Sequence, residues 1–181
     1  MTGLAMATLV LAMAWPHAGD AQEAAVRTRV PGVLAGTWVY DGTPAHGMAI
    51  VDAAFAPGIA TLPGLFQGIA RDRIHGSMQP PPRVEVALTG QQVRVSFVGE
   101  TTKVIDGALG SVATTTGVHE GTRVSTHLRG GWLELRYEGE GDLTQLLSTT
   151  RDGARMHVDY TVVSDRLPDP VRYRLDFVHP H

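Results

Sequence analysis

Between Arg83 and Phe177 the chain alternates apolar and polar residues in short runs. In "RVEVALT" the side chains of Val84, Val86 and Leu88 fall on one side, with Arg83 and Glu85 on the other. In "QVRVSFV" Val93, Val95 and Phe97 oppose Arg94 and Ser96. Successive side chains on a strand point to opposite faces, so each run has one dry face and one wet face. "TRVSTHLR", "WLELRYEG", "DLTQLLSTT", "ARMHVDYTVV" and "PVRYRLDF" continue the series. Thr89-Gly90, Asp106-Gly107, Glu120-Gly121, Gly130-Gly131 and Asp152-Gly153 supply glycine where hairpins need positive φ. No helix intervenes, so neighbouring strands pair antiparallel, and a meander this long loses its two edges by closing on itself. The pattern predicts a mainly β chain: a single up-and-down barrel of eight to ten strands.

The segment before the meander has a different period. After an opening strand around "GTWVY", Met48, Val51, Phe55 and Ile59 recur at helical spacing. Leu62, Leu65, Phe66 and Ile69 repeat that spacing beyond a break at Pro57-Gly58, with Thr61 read as the N-cap of the second helix. Residues 41–76 therefore form a two-helix lid inserted after the first strand. Its apolar sides need burial, which the open end of a barrel provides. Gly47, Gly58 and Gly64 are candidate hinges for that lid.

The first residues stand apart. Leu4 to Trp15 is an uncharged apolar run too short to span a bilayer, followed by small residues Gly19 and Ala21. This predicts a signal peptide over residues 1–21, an N-terminal extension over 22–33, a barrel over 34–178 and a frayed tail over 179–181. The expectation is an exported protein, periplasmic or extracellular, with no stable membrane anchor. Cysteine is absent, which removes disulfides, thiolate catalysis and zinc–sulfur sites. A net charge of −3 without a basic run gives no footprint for nucleic acid.

With a strand, a helix pair and a long meander in that order, and with Gly36-Thr37-Trp38 on the first strand, the chain resembles the calycin superfamily of lipocalins and fatty-acid-binding proteins. The helix pair makes it most similar to the fatty-acid-binding branch. The resemblance implies that Trp38 plugs one end of the barrel and that Gly36 lets backbone pack close, both structural roles. It also implies an inward Arg and Tyr on the last strand to hold a carboxylate. Here Val171, Tyr173, Leu175 and Phe177 share the dry parity, which sends Arg172 and Arg174 to water. That carboxylate site is therefore not transferred.

The inward parity still carries polar groups: Thr126, Tyr137, Gln145, Tyr160 and Tyr173. An apolar lining with a few placed hydroxyl and amide groups is what a ligand pocket needs, and Phe97, Phe55 and Phe66 extend the apolar part. The competing reading is that each tyrosine fills the barrel and bonds a nearby carbonyl. The eight histidines are scattered, with no His-x-x-x-His or His-Glu-x-x-His run, so no metal site is expected. No cofactor is expected either. Haem stays an alternative because calycin relatives include haem binders and one axial histidine leaves no sequence signature. No serine sits in Gly-x-Ser-x-Gly and no catalytic residues emerge. The functional expectation is a binder of a small hydrophobic or amphipathic, lipid-like molecule. The alternatives are a small barrel enzyme (isomerase, cyclase or hydrolase) and a packed structural or protein-interaction module.

Overall fold

The computed structural model describes residues 34–117, 120–129, 131–139 and 142–180. The predicted signal peptide and N-terminal extension lie outside the described residues. Strand β1 (Gly36–Tyr40) is followed by helices α1 (Pro44–Ala60) and α2 (Gly64–Ser77). The meander then comprises β2 (Arg83–Thr89), β3 (Gln92–Val98), β4 (Lys103–Ala108), β5 (Val112–Gly117) and β6 (Arg123–Arg129). It ends with β7 (Trp132–Glu138), β8 (Asp142–Thr149), β9 (Arg155–Val163) and β10 (Val171–Val178). Each strand pairs with its sequence neighbour, and β1 pairs antiparallel with both β2 and β10, which closes the barrel. This is the expected fold class, a closed up-and-down barrel with two helices after its first strand.

Alternation survives into the structure most clearly on the last two strands. Met156, Val158, Tyr160 and Val162 of β9 face inward with Val171, Tyr173, Leu175 and Phe177 of β10. Arg172 and Arg174 face out. The Arg174 guanidinium donates to both carboxylate oxygens of Asp159, at 2.7 and 2.9 Å, across the β9–β10 ladder. Burying those arginines instead would strand charge inside and expose four large apolar side chains, so the register has one acceptable choice.

The start of β1 is tied into the buried core. Trp38 is fully buried there and its indole N–H donates to the Leu34 carbonyl at 3.0 Å. Gly36 has φ +146°, a conformation side chains resist. His179, expected in a frayed tail, stacks on the indole with ring centroids 3.9 Å apart. The chain end therefore finishes the closed floor of the barrel.

The helices differ from expectation in informative ways. Thr43 caps α1 by accepting from the His46 N–H, with Pro44 in the first turn. The helix runs through Pro57 to Ala60, so Pro57-Gly58 does not break it as the sequence suggested. Thr61, predicted to start α2, instead ends α1: its hydroxyl donates to the Gly58 carbonyl at 2.7 Å. Gly47 and Gly58 are packing glycines rather than hinges. A Cβ on Gly47 would sit 2.6 Å from Pro80, and one on Gly58 2.9 Å from Leu167. In α2 no side chain is buried, and Leu65, Phe66 and Ile69 are exposed. Only Ala70 and Ile74 reach the core, so α2 rests on one narrow edge.

The meander also corrects one reading. Asp106-Gly107 lies inside β4, and the β4–β5 turn falls at Gly110, with φ +79°. Strands β4 and β5, rich in Thr and Gly, carry too little alternation to be seen as a pair from sequence.

Candidate ligand-binding site

The antiparallel register assembles the site at the helix end of the barrel. Gln145 on β8 lies opposite Tyr160 on β9, and Tyr160 lies opposite Tyr173 on β10. Three buried polar side chains on the same parity thus form a row across three strands. The rings of Tyr160 and Tyr173 stack at 4.5 Å with planes 8° apart. On the far side of the row, the Tyr137 hydroxyl donates to Gln145 Oε1 at 2.6 Å. Among the described residues no buried side-chain nitrogen or oxygen lacks a partner.

Burial sets the electrostatics. Desolvation raises the pKa of Tyr137 and of Tyr173, and the neighbouring Tyr160 pushes both further up. Tyr160 is raised by the same burial, with Gln145 pulling the other way. All three phenols stay neutral at physiological pH and act as hydrogen-bonding groups.

Above this row lies a cavity of about 430 Å³. Phe97, Leu143, Gln145, Tyr160 and Tyr173 line its floor, and Met78 with the prolines of the α2–β2 linker lines one wall. The rim is formed by exposed residues: Gly76 and Ser77 at the end of α2, and Glu100 and Thr101 on the β3–β4 turn. Access therefore lies between the linker and that turn. Tyr173 ties the cavity to the helices, since its hydroxyl reaches Met78 Sδ at 3.8 Å and its ring lies 6.4 Å from Phe55. A volume of this size falls within the usual range for small-molecule pockets.

The sequence-predicted residues separate into three groups. Phe97, Gln145, Tyr160 and Tyr173 line the cavity together, and Tyr137 and Phe55 stand directly behind that lining. Thr126 is buried but does not line the cavity: it pairs with Leu135, and its hydroxyl donates to the Ala108 carbonyl at 3.0 Å. Phe66 is 53% exposed and does not reach the cavity, which corrects its assignment to the lining. Phe66 shares a side of α2 with Ala70 but lies in the first turn, and the apolar side chains of this helix pack on the core only from Ala70 onward.

Sequence reasoning missed Lys103. It opens β4, two residues before the buried Ile105, and so shares the inward parity. Its ammonium lies over two aromatic faces, 4.7 Å from the Phe97 centroid and 4.4 Å from that of Tyr137. Burial lowers its pKa to about 8. A signal was available, because Lys103 is the one lysine in the whole chain. It was hidden by the weak alternation of "KVIDGA".

Among the described residues no cluster of three His, Asp or Glu side chains is placed to hold a metal, and no helix is long and apolar enough to cross a membrane.

No protein-family model matches the chain, and no curated protein matches it. Solved structures do. A point variant of the REP1-NXSQ fatty acid transporter superposes with a TM-score of 0.55 at 13% identity, covering 82% of this chain and 99% of the other. The unsubstituted transporter gives 0.52 at 12% identity, covering 83% and 98%. An abundant heat soluble (SAHS) protein from Ramazzottius varieornatus gives 0.54 at 11% identity, covering 82% and 96%. At such identities the likeness concerns the fold, and the fold is calycin-like.

Proposed function

We propose that this calycin-like barrel is an exported carrier that holds an apolar or amphipathic, lipid-like small molecule in the helix-end half of its interior. The observation that carries the reading is the cavity of about 430 Å³ in which an apolar lining meets one convergent row of neutral hydrogen-bonding groups, Gln145, Tyr160 and Tyr173. The apolar part supplies affinity without direction, at about 0.8 kcal/mol for each methylene taken from water. About fifteen methylenes then give about 12 kcal/mol, which after an association cost of about 4 kcal/mol leaves about 8 kcal/mol, the scale of a micromolar ligand. The tyrosines and Gln145 orient the polar end. Two of the structural neighbours are titled fatty acid transporters, which supports the same ligand class. Export is supported by the uncharged apolar run Leu4–Trp15 and the small residues after it.

Titration of delipidated protein with a fluorescent fatty acid and with neutral alkyl alcohols tests the reading. The expected result is saturable single-site binding with a Kd at or below about micromolar. Leu143→Trp, which adds bulk to the lining, is expected to weaken it at least about tenfold while leaving the urea midpoint nearly unchanged. Lack of saturable binding by every alkyl ligand would sink the proposal.

A further inference from the structure

Every ion pair among the described residues joins an acid to arginine or histidine, and none of them involves a residue of the cavity lining. The one lysine is placed differently. Lys103 is the single cation in the cavity lining, and none of those acids pairs with it. The only carboxylate in the same lining is Glu100, which sits exposed on the β3–β4 turn. The other titratable groups facing the cavity are Tyr160 of β9 and Tyr173 of β10, with Tyr137 of β7 beneath the ammonium. Burial keeps all three neutral.

A mostly buried ammonium without a counter-charge is costly. The faces of Phe97 and Tyr137 offset part of that cost, because aromatic quadrupoles attract a cation, but they supply no negative charge. Lys103 nevertheless remains largely protonated at neutral pH, its pKa being lowered only to about 8. The cavity therefore offers a fixed positive charge beside an apolar volume and a row of hydroxyl and amide groups. Strand β10, whose arginines point outward to Asp159 and solvent, supplies no such charge.

We propose that Lys103 receives the anionic head of an amphipathic ligand, an alkyl carboxylate, whose chain lies against Phe97, Leu143 and Met78. This rests on the carrier reading above and specifies its ligand class. The ammonium exchanges incomplete stabilisation by two rings for an ion pair shielded from water, where such a pair counts for more than at the surface. A neutral alkyl ligand of the same length gains the apolar burial but not the ion pair.

Decanoate and decanol, titrated calorimetrically into the delipidated full chain, separate the two levels of the proposal. At pH 7 decanoate is expected to bind at least about tenfold more tightly than decanol. In Lys103→Met that ratio falls toward one, with decanol affinity little changed. In the wild type the preference also declines as pH rises past about 8 and the ammonium loses its proton. A second measurement needs no variant. Reductive methylation with 13C-formaldehyde labels one side chain in this chain, and its resonance titrates with Lys103; saturation with decanoate is expected to raise that midpoint, and decanol to leave it in place. Equal affinities for the two ligands, a ratio that persists in Lys103→Met, or a midpoint indifferent to decanoate overturns the assignment of Lys103 and leaves the carrier reading intact. Failure of both ligands to bind overturns the carrier reading, and Lys103's role with it.

Discussion

Lys103 shows how much one side chain can be asked to do. Its folded pKa lies near 8 against an ordinary 10.5, because desolvation penalises the charged form. Below about pH 8 the group is charged in folded and unfolded protein alike, and the burial cost is present in full. Between 8 and 10.5 the folded form has released its proton while the unfolded form keeps it, so stability rises with pH across that window. Lys103→Met removes the charge and keeps an apolar stem of similar length. It is expected to stabilise the protein at pH 7 by on the order of 1–3 kcal/mol, with the gain shrinking toward pH 9.5. Urea midpoints for both proteins at pH 7 and 9.5 check this, and a gain that does not shrink would contradict the assigned cause. The four lining residues found by parity share a different logic. Tyr160 and Tyr173 were legible because their strands alternate strongly, and Gln145 because Leu143 and Leu147 flank it on the same parity. Phe97 was legible for the same reason. Lys103 was not, because Gly107 and the threonines around it blur the period.

At the scale of elements, the helix pair is unequal. Helix α1 is anchored by Val51, Phe55 and Ile59 in the core, and by close contacts of Gly47 with Pro80 and Gly58 with Leu167. Helix α2 buries no side chain and is tied to α1 through its edge and the His75–Asp52 pair at 2.7 Å. Exposed ion pairs contribute little, so α2 opens more easily than α1. Amide exchange is expected to be distinctly faster along Gly64–Ser77 than along Pro44–Ala60. Leu65→Ser and Phe66→Ser are expected to change stability by no more than about 0.5 kcal/mol each. A loss above 1 kcal/mol would mean that the face packs on something in the folded state. Helical spacing located both helices in sequence. It could not say how α2 meets the body, because periodicity gives an apolar face and only the tertiary contacts, made through Ala70 and Ile74, decide how much of that face is covered.

The whole molecule is a barrel with buried side chains around Trp38 where β1 begins and a cavity beside the α2–β2 linker. Trp38, Leu34, Phe177 and His179 close the floor, while the register lifts Gln145, Tyr160 and Tyr173 to the helix end. The two regions are expected to be separable. Trp38→Ala should destabilise by about 3–5 kcal/mol, since it empties a fully buried site and strands the Leu34 carbonyl. Ligand affinity of the fraction that folds should stay within about twofold of wild type. Calorimetric titration below the unfolding transition reads that comparison, and a parallel loss of affinity would show that floor and cavity act as one unit. From the sequence by itself came the alternation, the turn glycines, the order of strand, helix pair and meander, and with them the antiparallel barrel and the outward turn of Arg172 and Arg174. These are local consequences of a period of two and of the cost of burying charge. Tertiary structure alone decided that space remains beneath the helices, that Thr126 lies away from the cavity lining, that Phe66 faces solvent and that Lys103 joins the tyrosines. Each of those depends on which strands lie opposite at a given height and how much volume their side chains fill, quantities set by register and closure rather than by any residue's immediate neighbours.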